Sequence, residues 1–128
     1  MIFWIEKGVE VSYNQLIEDL NKDNPIVELS GYKYFLTLLK ELSEGQIITS
    51  IESLIQYLID NKHILNFHIQ TSGTTSVPKL INVKVSNCIR YVKKSKEECN
   101  RIWGMGYPHG SFASTQVFFQ SLMNKETV

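Results

Sequence analysis

Apolar residues along this chain fall into short groups of two kinds, separated by polar and turn-forming residues. Groups that repeat every three or four residues predict amphipathic helices, whereas compact groups between turn residues predict strands. Helices are predicted after Ser12, over Gly31–Leu42, after Ser50, after Ser86 and over 113–123. Strands are predicted over 2–6, 9–11, 26–29, 46–49, 64–69, 80–85 and 101–105. One long polar stretch, between residues 71 and 79, belongs to neither kind.

Serine residues mark the predicted starts of two of these helices. Ser12 is followed three residues later by Gln15, which predicts a capping box, and Ser50 is followed by Ser53 at the same spacing. The helix over Gly31–Leu42 carries aromatic and leucine side chains at helical spacing. Such a stripe belongs to a hydrophobic core far more often than to a cofactor site, so we predict that it is buried.

The polar stretch is rich in hydroxyl side chains and closes with a lysine. It begins Thr71, Ser72, Gly73, Thr74, Thr75, Ser76 and ends Val77, Pro78, Lys79. It lies between two predicted strands and is longer than a hairpin turn requires. Gly73 can adopt a positive φ, which lets successive backbone N–H groups converge on an anion, and Lys79 supplies a positive charge for phosphate. The stretch therefore predicts a phosphate-binding loop, and a Ser/Thr-rich surface turn with a solvated lysine is the open alternative.

The order T-S-G-T-T-S-V-P-K resembles the phosphate-loop signature of the adenylate-forming enzymes, the superfamily of acyl-CoA synthetases, peptide-synthetase adenylation domains and luciferases. That signature reads T-S-G-T-T-G-x-P-K, and this chain departs from it at Ser76, where the family usually has a second glycine. The N-terminal hairpin leading into V-S-Y-N-Q-L is similar to the start of those enzymes. The segment from Trp103 to Leu122 resembles a family strand, P-x-x-H turn and buried helix near the acyl pocket. Ser111 occupies the position of the family histidine, and His109 lies two residues earlier.

The resemblance implies an α/β fold, the N-terminal portion of an adenylate-forming domain over residues 1–128, with a mixed sheet flanked by helices. It implies an ATP-dependent acid ligase that converts a carboxylic acid to an acyl-adenylate and passes the acyl group to CoA or to carrier-protein pantetheine. The residues that would bind the phosphates of ATP are Thr71, Ser72, Gly73, Thr74, Thr75, Ser76 and Lys79. The ligand of the accompanying magnesium ion would lie outside this chain, and no catalytic residue is assigned within it. The alternative is a non-enzymatic phosphate-binding or interaction module that shares the loop.

Composition and cysteine spacing indicate the class of protein and its cellular compartment. The chain has 128 residues, no net charge, 43% hydrophobic and 20% charged residues, values typical of a soluble globular protein. No apolar run predicts a transmembrane helix, and the N-terminus does not resemble a signal peptide. Cys88 and Cys99 lie eleven residues apart on one predicted helix, about three turns, which is too far for a disulfide. We therefore expect a cytoplasmic protein.

Charged residues are unevenly distributed along the chain. Residues 1–60 contain ten acidic and four basic residues, whereas residues 61–128 contain three acidic and nine basic ones. The basic half contains the hydroxyl-rich loop, where a positive field would attract a nucleoside triphosphate, although the division could equally serve packing between the halves. The helix predicted after Ser86 has a basic face without an aromatic platform for base stacking, so we do not expect nucleic-acid binding.

Several parts of an adenylate-forming enzyme have no counterpart in these residues. They are the adenine-binding segment, the glutamate that helps to hold magnesium, the aspartate for the ribose and the C-terminal domain with its lysine. We therefore expect an N-terminal fragment of a longer ligase that is inactive alone. Open strand edges and uncovered apolar faces favour association, so we also expect the fragment to self-associate.

Overall fold

The computed structural model describes residues 1–22, 28–71, 79–93 and 101–128. The strands are β1 (Ile2–Glu6), β2 (Val9–Ser12), β3 (Asn66–Thr71) and β4 (Lys79–Lys84). The helices are α1 (Tyr13–Leu20), α2 (Ser30–Leu42), α3 (Ile51–Asp60), α4 (Val85–Ile89) and α5 (Phe112–Met123). The strands form two separate antiparallel hairpins, β1–β2 and β3–β4. The chain is thus a mixture of helices and small antiparallel sheets, which agrees with the α/β prediction, but the described strands do not join into the predicted mixed sheet.

The N-terminal hairpin leads directly into α1. Lys7 and Gly8 form its turn with φ values of 52° and 76°, the positive pair that a type I′ two-residue hairpin requires. Ser12 caps α1 by accepting a hydrogen bond from the Gln15 backbone N–H at 3.0 Å. The Gln15 side chain donates to Asp19 at 2.8 Å instead of returning to Ser12. The predicted cap is therefore confirmed, and the reciprocal half of the capping box is not formed.

Aromatic rings from three elements form the centre of the hydrophobic core. Phe3 of β1, Phe35 of α2 and Phe118 of α5 are fully buried. The rings of Phe35 and Phe118 stack with centroids 4.4 Å apart, and Phe3 meets Phe118 edge-on at 6.0 Å. The stripe predicted on α2 is thus confirmed as core, with the exception of Tyr34, which remains half-buried at its margin.

Helix α3 is held at its N-terminal end by side-chain contacts. The predicted cap residue Ser50 forms a reciprocal capping box with Ser53 at this terminus. A salt bridge of 3.1 Å between Glu52 and Lys125 then joins the acidic half of the chain to the basic half.

The end of the described chain lies beside its beginning. Val128 donates a backbone hydrogen bond to Phe3 at 3.0 Å and accepts one from Ile5 at 2.8 Å, on the edge of β1. Thr127 forms an isolated parallel bridge with Ile102. The strand predicted to begin at residue 101 is wrong in extent, because this bridge is its only pairing within the described residues.

The predicted strand over 46–49 is also wrong. Gly45 adopts a φ of 79° after α2, and the following residues do not pair as a strand. Ile48 is buried, and its carbonyl accepts a hydrogen bond from the Asn21 side chain at 2.9 Å. The Asn21 side chain, at the C-terminal end of α1, therefore pairs with a backbone carbonyl that a neighbouring strand would otherwise have bound. Of the strand predicted over 26–29, residues 26–27 lie outside the described residues, and 28–29 are irregular.

The helix predicted to start with Ser86 as its cap differs at both ends. It begins at Val85, with Lys84 in the cap position, and it ends at Ile89. The Gln120 side chain of α5 donates to the backbone carbonyl of Lys93 at 2.7 Å and accepts from its N–H at 2.9 Å. This contact occupies backbone groups that a continuing helix would need. Because the helix ends at Ile89, the prediction that Cys88 and Cys99 share this helix is wrong. Cys99 itself lies in 94–100, outside the described residues.

Candidate functional site

The predicted phosphate loop is carried by the β3–β4 hairpin. The two strands pair in continuous antiparallel register from Asn66 opposite Lys84 to Thr71 opposite Lys79. Opposite residues in such a ladder have Cα atoms about 4.5–5.5 Å apart. The first and last residues of the predicted site are thus brought together at the end of the hairpin. The other predicted site residues, Ser72, Gly73, Thr74, Thr75 and Ser76, lie in 72–78, outside the described residues.

The hairpin is fixed to the body of the protein along one face. Phe67, Ile69 and Val83 are buried, and the Phe67 ring lies 6.1 Å from that of Phe119 on α5. The opposite face of the hairpin is exposed, and Leu80 is 65% accessible there. The base of the loop therefore rests on a packed support.

A turn from the C-terminal half of the chain lies beside this base. The backbone N–H of Gln70, next to Thr71, donates to the Gly110 carbonyl at 2.7 Å. Gly110 has a φ of 91°, which favours glycine. Ser111 accepts a hydrogen bond from the Ser114 backbone N–H at 3.2 Å and caps α5. It therefore serves the helix terminus in this chain.

His109 points from this turn towards α2. Its ring stacks on Tyr34 with centroids 6.0 Å apart and planes inclined by 20°, and it meets Phe35 edge-on. A Cβ atom built on Gly31 would lie only 2.9 Å from the His109 ring, and also from the Glu6 carboxylate. Gly31 thus permits the close approach of three elements at the start of α2.

The Glu6 carboxylate caps α2 from another element. Leu29, in the cap position, makes no side-chain bond to the helix. Glu6 accepts instead from the backbone N–H groups of Tyr32 at 3.1 Å and Gly31 at 3.3 Å, and from the Trp4 indole at 2.8 Å. Burial opposes ionisation of Glu6, but these hydrogen bonds and His109 outweigh it and lower the pKa of its carboxyl group.

A cavity of about 630 Å³ lies between α2, the β3–β4 hairpin and the turn at His109. Helix α2 lines it with one face, comprising Ser30, Lys33, Tyr34, Thr37, Leu38 and Glu41. The hairpin contributes Phe67, His68, Gln70 and Leu80, and the turn contributes His109 and Gly110. Because Gln70 and Leu80 directly adjoin the pair that closes the ladder, the cavity opens beside the base of the predicted phosphate loop.

The cavity combines an apolar body with two separated charges. Lys33 and Glu41 are eight residues apart on α2, about 12 Å along the helix axis. Neither forms an ion pair with any other described residue. Burial raises the pKa of the Tyr34 hydroxyl, and the negative charge of Glu41 raises it further. Sequence reasoning missed this cavity, although the spacing of the polar residues on α2 marks a second face opposite its core stripe.

Comparisons with protein-family models, with curated proteins and with solved structures find no match to this chain. Among the described residues, no three His, Cys, Asp or Glu side chains come together where they could hold a metal ion. In the same part of the chain, no helix has the length and apolar character needed to cross a membrane.

Proposed function

We propose that this chain provides the ATP phosphate-binding part of an acid ligase of the adenylate-forming type. The observation that carries the proposal is the pairing of Thr71 with Lys79 at the end of the β3–β4 ladder. This pairing brings the two ends of the hydroxyl-rich stretch together, with Lys79 at the start of β4. The hydroxyls and backbone N–H groups of such a loop can surround one polyphosphate.

The reaction of such a ligase explains why the loop is needed. A carboxylate oxygen of the acid attacks the α-phosphorus of ATP, and the bond to the β-phosphate breaks and releases pyrophosphate. Negative charge then grows on the leaving group, where Lys79 and the loop donors would stabilise it. Thr71, Ser72, Gly73, Thr74, Thr75 and Ser76 are the other loop residues we assign to this contact. The acyl-adenylate would then pass its acyl group to the thiol of CoA or of a carrier pantetheine in the cytoplasm.

Magnesium accompanies ATP in this chemistry and neutralises phosphate charge. By the resemblance to the adenylate-forming enzymes, its protein ligand would lie in a segment outside this chain. What the chain itself supplies is the positioning of the phosphates beside the cavity on α2.

Titration with tripolyphosphate tests the loop assignment directly. The backbone amide NMR signals of Gln70 and Lys79 should shift on binding, and Lys79→Ala should weaken the affinity about tenfold, as expected for a lost charge-assisted hydrogen bond. Lys84→Ala, at the other end of the same strand and also exposed, is the matched control and should leave the affinity nearly unchanged. Equal losses in the two variants would show only general attraction to positive charge and would overturn the assignment.

A non-enzymatic phosphate-binding module makes the same prediction for the loop, so a second test must separate the two. ATP–pyrophosphate exchange by the 128-residue chain should give no signal, because the remaining parts of the site are not in it. A clear exchange signal would contradict the proposal that this chain is part of a larger catalytic unit. The coding sequence after Val128 then decides: a T-x-Y-G-x-T-E segment supports the ligase, and a stop codon supports the module.

A further inference from the structure

We propose that the cavity between α2 and the β3–β4 hairpin binds a carboxylic acid that carries a planar aromatic ring and no second acidic group. This inference rests on the proposed function, because it identifies the occupant of the cavity with the acid that the ligase activates. It names the substrate class, which the sequence leaves open.

The volume and the walls of the cavity suit a ring. At about 630 Å³ it lies within the range of small-molecule sites, about 300–1,000 Å³. The stacked rings of Tyr34 and His109 form one wall, with their planes inclined by only 20°. Leu38, Phe67 and Leu80 supply apolar surface around this pair. Aromatic rings prefer to pack against such a surface in offset or edge-on arrangements, which a flat ligand can adopt and a puckered one cannot.

The charges favour one orientation and exclude a class of ligands. Lys33 lies one turn from the start of α2, the end of the helix that closely approaches His109 at Gly31. Glu41 lies about two turns further along the same face. The turn at His109 is bound to Gln70, so the Lys33 end of the cavity is also the end near the loop. A carboxylate held there by Lys33 would face the phosphates. The ring would then point towards Glu41, which repels a second acidic group and can accept a hydrogen bond from a ring hydroxyl.

A set of four acids tests these features on the 128-residue chain, with dissociation constants taken from the amide shifts of Gln70 and Gly110. Phenylpropanoate should bind about fivefold more tightly than cyclohexylpropanoate, which has similar size but no flat ring. The para-hydroxy derivative of phenylpropanoate should bind at least as well as the parent acid. The para-carboxy derivative should bind several-fold more weakly, and Glu41→Gln should remove that difference. Equal affinities for all four acids would overturn the proposal.

Variants on α2 distinguish specific ring binding from non-specific hydrophobic binding. Tyr34→Leu should lower the affinity for phenylpropanoate about fivefold and leave the affinity for cyclohexylpropanoate nearly unchanged. Tyr91 is an exposed tyrosine outside the cavity, so Tyr91→Leu should change neither affinity. Thr37→Trp should fill the cavity and reduce the affinity for every acid by more than about tenfold. Its control is Gln56→Trp, on the exposed face of α3. Thr37 is exposed, so this variant keeps the test valid even if Tyr34→Leu fails to fold.

The two proposals fail in different ways. If the acids bind with the expected ring preference but the affinity for tripolyphosphate does not depend on Lys79, the phosphate loop is refuted and the ring-binding cavity stands. Tripolyphosphate binding that depends on Lys79, together with acids that show no ring preference, would refute the cavity assignment and leave the loop intact.

Discussion

Replacing Glu6 with alanine removes the carboxylate that caps α2 from a neighbouring strand. The backbone N–H groups of Gly31 and Tyr32 lose their acceptor, as does the Trp4 indole. Losing a helix cap costs about 0.5–2 kcal/mol, and a hydrogen bond to a charged group is worth about 1.5–3 kcal/mol. Because Glu6 is partly solvent-accessible, water can replace part of these contacts, and we expect a loss of about 2 kcal/mol in the free energy of unfolding.

Urea unfolding followed by tryptophan fluorescence measures this loss. With a urea dependence of about 1–3 kcal/mol per molar, the midpoint should fall by roughly 1 M. Glu10→Ala is the control, because Glu10 is exposed on the paired strand β2, and its free energy of unfolding should stay within about 0.5 kcal/mol of the wild type. Equal shifts in the two variants would refute the capping role.

The same variant predicts a defined dependence on pH. The pKa of Glu6 is lower in the folded protein than in the unfolded chain, so the unfolded chain binds the proton more tightly. The stabilisation by Glu6 is therefore complete above its unfolded pKa and disappears as the pH falls through its folded pKa. The difference between wild type and Glu6→Ala should shrink accordingly in acid. A difference that stays constant from neutral pH down to the acid limit of folding would contradict the ionic character of the cap.

Two further predictions concern a thiol and a strand. Burial raises the pKa of Cys88 to about 11, so few thiolates form at mildly alkaline pH. Alkylation mapped by peptide mass should therefore leave Cys88 unmodified until urea unfolds the protein. Rapid labelling of the folded protein would contradict its burial. The chain should self-associate as its concentration rises, and Leu80→Lys on the exposed hairpin should reduce that association. Ile47→Lys, which changes an even more exposed residue outside the sheets, should reduce it less. Light scattering that shows a monomer at every concentration would contradict this prediction.

Local signals explain which elements the sequence predicts well. Ser12 and Ser50 each accept a hydrogen bond from the first turn of the helix that follows, and α2 is predicted by its own apolar spacing. Both caps and the helix are confirmed. The two strands on either side of the polar stretch also follow from their own residues, and both are present in the structure. Their pairing, which places Thr71 opposite Lys79, does not follow from the sequence alone.

The failures arise where a distant residue decides the outcome. The helix after Ser86 stops at Ile89, and Gln120, on another helix, binds the backbone of Lys93. The cap of α2 comes from Glu6, which lies 25 residues before Gly31. The cavity likewise requires α2, β3 and the turn at His109 to meet, and no periodicity within any one of them contains that information.

Thr127 and Val128 complete the outer edge of β1. Thr127 donates its hydroxyl hydrogen to the Ile2 carbonyl at 2.7 Å, across 125 positions of sequence. During synthesis the N-terminal hairpin leaves the ribosome first, yet its edge stays unpaired until Val128 has been added. The first hairpin therefore depends on residues far along the sequence to pair its outer edge, and contacts between such distant residues slow folding.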